Sequence, residues 1–149
     1  MGSPSAAYEI TVATQQANSS CNFFHLNNAT NIRNFSFKGG SNGAVIMSLD
    51  PSGAISSASP YIQNCTNVHT SAVVTGIKID GDVQASGNKS ILANDFTQII
   101  NDGRGVHVLN RGRAELVSVF TYYNDKAFFA ESGGFIRALN SSMAYGEYG

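Results

Sequence analysis

The stretch FTQIIND at residues 96–102 is answered by FTYYND at residues 120–125. Each joins a Phe-Thr pair to bulky residues and ends on Asn-Asp, a turn-forming pair. The same grammar occurs earlier in the chain. Asn34-Phe35-Ser36-Phe37 and Asn64-Cys65-Thr66-Asn67-Val68 both run polar, then Phe or Cys, then hydroxyl, and Asn140-Ser141-Ser142-Met143 is a weaker echo. The steps are 30, 31, 24 and about 22 residues.

A second series falls between members of the first. It comprises Phe23-Phe24-His25-Leu26, Ala44-Val45-Ile46-Met47, Ile77-Lys78-Ile79, Val106-His107-Val108-Leu109 and Ala127-Phe128-Phe129. Turns rich in Gly, Asn and Asp separate the two series: KGGSNG, INDGRG, NRGR and ESGG. Two interleaved series of short β-branched and aromatic segments predict a solenoid, in which each turn adds strands to walls already begun. Helical periodicity is missing; the nearest window, LANDFTQIIND, puts Asn and Asp where a helix wants Ala or Leu.

The expected fold is all-β, a single-stranded parallel β-helix of about five coils, with a β-sandwich as the alternative. Coils stack at about 4.8 Å and superpose equivalent side chains. Phe35, Cys65, Phe96 and Phe120 are expected as an inward ladder, and Ser36, Thr66, Thr97 and Thr121 as an outward one. The longer steps, DPSGAISSASP (50–60) and DGDVQASGNKS (80–90), read as loops at coil corners. Residues 1–7 read as a cloning scar and flexible N-terminus. Residues 8–149 read as one β-helix domain, a fragment of a longer chain.

Composition agrees with many short strands. Among 149 residues only 13% are charged and Gly reaches 15, while Trp is missing. The formal net charge of −1 offers no basic patch, which excludes phosphate-driven nucleic-acid binding. No apolar run approaches the roughly 20 residues that span a bilayer as a helix, and the N-terminus lacks a signal-peptide pattern. Cys21 and Cys65 are expected as free, mostly buried thiols, with a disulfide as the alternative.

Several phrases resemble a known family in order: LNNATNIRNFSFKG (26–39), SLDPSGAISSASPYIQNCTNVHT (48–70), GIKIDG (76–81), SILANDFTQIINDG (90–103) and the run 114–149. Together they are similar to a virion structural protein of contractile-tailed marine cyanophages, over about four-fifths of the chain. The resemblance implies a right-handed β-helix segment of a larger tail- or baseplate-associated protein, located in the virion. It carries no catalytic residues to transfer. The implied partners are further copies of the chain, a trimer among the arrangements, or other virion proteins. Neither a membrane nor a cofactor is implied.

The rival function is a host-polysaccharide-binding or depolymerase module. Its candidate catalytic pair is Asp102 and Asp125, which close matching turns and would lie about 5 Å apart on adjacent rungs, near the spacing of a retaining glycosidase. No Arg, Lys or His is expected to join them, so a solvated turn is the expected role and an enzyme is not. Tyr122, Tyr123 and Tyr145, together with Tyr148, are the candidate sugar-stacking surface, against half-buried ladder positions. Glu115 and Arg137 are expected as a cross-rung ion pair, useful for register alone. His25 and His107 fall three rungs apart, about 14 Å, and His69 has no second ligand nearby, so no metal is expected. KGGSNGA (38–44) lacks the ending of a phosphate loop. The Asn-X-Ser/Thr triplets at Asn18, Asn28, Asn64, Asn88 and Asn140 follow from composition.

Overall fold

The computed structural model describes residues 8–11, 22–26, 31–49, 59–81 and 90–149. Every regular element in them longer than a single turn is a strand. They are β1 (Tyr8–Thr11), β2 (Asn22–Leu26), β3 (Asn31–Arg33), β4 (Phe35–Lys38), β5 (Val45–Leu49), β6 (Tyr61–His69), β7 (Thr75–Asp80), β8 (Ser90–Ile100), β9 (Arg104–Leu109), β10 (Arg113–Tyr122), β11 (Lys126–Ala130), β12 (Phe135–Leu139) and β13 (Ser142–Ala144).

The strands form two sheets whose pairs all run parallel. One sheet has the order β1-β4-β6-β8-β10-β12, with β3 also on β6 and β13 also on β10. The other has the order β11-β9-β7-β5-β2. Chain order alternates between the sheets, so each circuit of the chain roofs the previous one. The protein is a parallel β-solenoid, and the sandwich alternative falls because no pair among the described residues is antiparallel. The second repeat series corresponds to β2, β5, β7, β9 and β11.

Bends give the coil its section. The first sheet folds at Asn34, Asn64, Asp95, Ser118 and Asn140, which all hold φ between 48° and 61°. The registers on either side place these five residues in one column. Asn and Asp tolerate this left-handed region because their short side chains bond locally. Here they bond along the column: Asn64 Nδ2 donates to Asn34 Oδ1 at 2.8 Å, and Asn140 Nδ2 to Ser118 Oγ at 3.0 Å. Three further positive-φ residues, Asp102, Tyr123 and Tyr145, lie where the chain leaves the first sheet.

The core lies between the walls. Ile32, Ile62, Ala93 and Leu116 occupy one inward column, and Cys65, Phe96 and Val119 the next. From the facing wall come Met47, Ile77 and Val106, with Ile79 and Val108 beside them. Burying one such side chain contributes roughly 1.5–3 kcal/mol, and stacking like on like repeats that contribution at every rung.

Both expected ladders are displaced at their last member. Cys65 pairs with Phe96 and Thr66 with Thr97, but Phe96 pairs with Val119, and Phe120 lies beside Thr97. Phe120 is therefore on the outward column and half-buried, whereas Thr121 is inward and fully buried. The rung step between β8 and β10 is set by the bend column, where Ser118 takes the place of Asp95. A slip of one residue exchanges the two faces of a strand.

Thr121 joins an inward column that also holds Phe37, Asn67 and Gln98. Asn67 Nδ2 approaches Gln98 Oε1 at 3.4 Å, and Gln98 Nε2 donates to the carbonyl of Gly105 at 3.1 Å. Gly76 in the facing wall makes room for this side chain. A Cβ there would sit 1.6 Å from Gln98 Oε1.

Cys65 is a free, buried thiol, and burial raises its pKa above the ordinary value. Cys21, residues 1–7 and most of the two expected corner loops lie outside the described residues. Glu115 and Arg137 are register partners, with Arg137 Nε on Glu115 Oε2 at 2.5 Å.

Candidate functional site

The outer side of the second sheet carries an open groove of about 370 Å³. Thr75, Lys78, Arg104 and His107 form its floor, and Asp102 and Asp125 stand where the chain enters β9 and β11. The two aspartates are thus brought together in one groove, Asp102 exposed and Asp125 half-buried. The expectation that no basic residue or histidine joins them is overturned. The missed signal lay in the second series: Arg104 follows Asp102 by two residues, Lys126 follows Asp125 directly, and Lys78 and His107 share a column.

The geometry of the floor follows from the strand register. Thr75, Arg104 and Lys126 are Cα partners across β7, β9 and β11, and Lys78, His107 and Phe129 are partners three positions further along. Gly105 and Val106, between Arg104 and His107, are both buried. Arg104 and His107 nevertheless line the same groove, three residues apart.

His107 is held on every side. Its Nε2 lies 2.7 Å from Glu131 Oε1, and Arg104 Nη1 lies 3.4 Å from its Nδ1. A guanidinium can only donate, so Nδ1 accepts and the ring proton sits on Nε2, which donates to Glu131. The ring stacks on Phe129 at 5.0 Å. Burial, helped by the charges of Arg104 and Lys78, lowers the His107 pKa against the opposing pull of Glu131, keeping the ring neutral at pH 7. Lys126 Nζ lies 4.2 Å from the Phe129 ring centre and Arg104 Cζ 5.6 Å, both within cation–π range. Among the described residues no carboxylate pairs with Lys78 or Arg104.

The tyrosines separate by environment. Tyr122 is a half-buried strand residue beside Ile99, the ladder role weighed against sugar stacking. Tyr123 and Tyr145 stack at 5.3 Å with an interplanar angle of 16°, and they are 48% and 78% exposed. Neither ring lines the groove; the link is through the main chain, where the Asp102 N–H donates to the Tyr123 carbonyl at 3.0 Å.

The register puts His25, Ser48, Lys78 and His107 in successive rungs of one column, three steps from His25 to His107. Among the described residues no three His, Cys, Asp or Glu side chains gather in a way that could hold a metal ion. Nor is any helix there long and apolar enough to cross a membrane.

Fold and groove together define a parallel β-solenoid with a charged, aromatic-edged outer wall. No protein-family model, curated protein or solved structure matches the chain.

Proposed function

We propose that the protein is a structural module of a phage virion, a stiff β-helical segment of a tail- or baseplate-associated protein that displays its outer walls to partners. The observation that carries this reading is the unbroken parallel register along both sheets, from β1 to β12 and from β2 to β11. Main-chain bonds perpendicular to the strands then run along the length of the coil, resisting shear and proteolysis. The ordered phrases similar to a cyanophage virion protein supply the particle. Edge strand β12, with Phe135 and Leu139 exposed, favours association with further copies or with other virion proteins. Gold-labelled antibodies raised against the chain should decorate the tail or baseplate of intact contractile-tailed cyanophages. Particles that stay unlabelled, in preparations whose denatured proteins react with the same antibody, would overturn the placement. Sedimentation of the purified chain tests self-association, with a trimer as one outcome.

A second reading, a polysaccharide-binding or depolymerase module, is favoured by the convergence of Asp102 and Asp125 on one groove beside the stacked tyrosines. Incubation with cyanobacterial surface polysaccharide separates its two forms. A depolymerase releases new reducing ends and loses that activity in Asp102→Asn or Asp125→Asn, whereas a binding module releases none.

A further inference from the structure

We propose that the groove on the second sheet is a binding site for an acidic saccharide, one bearing carboxylates as well as free hydroxyls. The inference deepens the glycan-binding reading and is independent of the virion assignment.

The charges in the groove come from two parts of the fold. Lys78 and Arg104 lie on the floor, and Lys126 follows Arg104 in the same column. Asp102 and Asp125 lie at the strand entrances. Glu131 accepts a hydrogen bond from the neutral His107 and forms no ion pair with Lys78 or Arg104. Arg104 thereby keeps its remaining N–H donors for another acceptor, since its guanidinium holds five. Its position is set by the His107 Nδ1 contact and by the Phe129 ring.

A ligand must satisfy both ends of this arrangement. A neutral sugar would cover Lys78 and Arg104 without offering them an anionic acceptor of its own, at a desolvation cost. A phosphate or sulfate polymer poor in hydroxyls would meet the Asp102 and Asp125 carboxylates with like charge. A uronate-type sugar meets neither objection. Its carboxylate takes the Arg104 fork and the Lys78 ammonium, and its hydroxyls donate to the aspartates. The exposed Tyr123–Tyr145 stack beside Asp102 offers an aromatic face to a following sugar ring. Overall charge does not supply the attraction, because the chain carries a formal −1.

The test is titration of the 149-residue chain with oligogalacturonate, neutral dextran and dextran sulfate, by calorimetry and amide chemical shifts. Oligogalacturonate should bind, weaken with added salt and shift the amides of residues 102–107. Lys78→Ala and Arg104→Ala should each weaken it roughly tenfold or more, the loss expected for one charge-assisted bond. Arg33→Ala and Arg113→Ala, exposed on the other sheet, control for general electrostatics. Equal losses in those controls, or tightest binding to dextran sulfate, would overturn the inference. Preferential binding of dextran, lost in Asp102→Asn or Tyr145→Ala, would overturn it while leaving the glycan reading intact. Failure of all three polymers to bind would reject both.

Discussion

The side-chain amide of Asn64 donates to Oδ1 of Asn34 across 2.8 Å, linking two rungs at the point where each bends with positive φ. Their corner is stabilised twice, by side-chain bonds along the solenoid and by a residue type that accepts the left-handed conformation. Asn64→Gly should lose only the bond and cost about 1 kcal/mol. Asn64→Ala should cost about 2 kcal/mol, because Ala also resists positive φ. Urea denaturation of the two variants checks the order; an Ala variant as stable as the Gly variant would contradict it.

Gly76 and Gln98 face each other from opposite walls. Gly76→Ala should destabilise the fold by roughly 3 kcal/mol, since the added methyl overlaps a side chain packed in the core. Adding Gln98→Ala should recover part of this loss. The recovery is incomplete because the new Cβ still lies 2.7 Å from the Gly105 carbonyl. A double-mutant cycle measures the coupling, and additive losses would refute the contact.

His69 is buried, and burial lowers its pKa from 6.5 to about 4. Between these values the unfolded chain binds a proton that the folded chain refuses, so stability rises with pH across this window. The stabilisation is complete above pH 6.5, declines as the pH falls toward 4 and then levels off. The full change is on the order of 3 kcal/mol. His107, also shifted downward, adds a contribution of the same sign. The melting temperature of the wild type should fall more than that of His69→Gln between pH 7 and 4, so that the difference shifts in the variant's favour toward acid. Parallel curves would exclude His69 as the source.

The Glu115–Arg137 pair should matter little to stability. Arg137 is exposed, and exposed pairs contribute about half a kcal/mol. Arg137→Ala should leave the denaturation midpoint nearly unchanged, and the small difference should vanish in molar salt. A loss of 2 kcal/mol would mean that the last rung depends on this pair.

The solenoid was legible in the chain because stacked rungs require similar residues at similar places. Phe96-Thr97 and Phe120-Thr121 announce two neighbouring rungs even though they are not in register. The Glu115–Arg137 spacing of 22 residues also equals the rung step between β10 and β12. The groove was less legible. Asp102 and Asp125 stood out as a repeated turn, but Lys78 and His107 come from other rungs and look like isolated charges in apolar strands.

The sequence alone determined the order of the repeated wall segments, because hydrophobic alternation and turn residues are local properties; β1, which pairs with β4, carried no repeat signal. Tertiary structure decided which residue of each segment faces inward. That choice depends on how the bends align between rungs, and Ser118, a poorer signal than Asn or Asp, holds the bend that moves Phe120 outward and Thr121 into the core. It also decided that Lys78, Arg104 and His107 share a groove with Asp102 and Asp125, since only stacking brings residues decades apart in the chain within reach of one ligand.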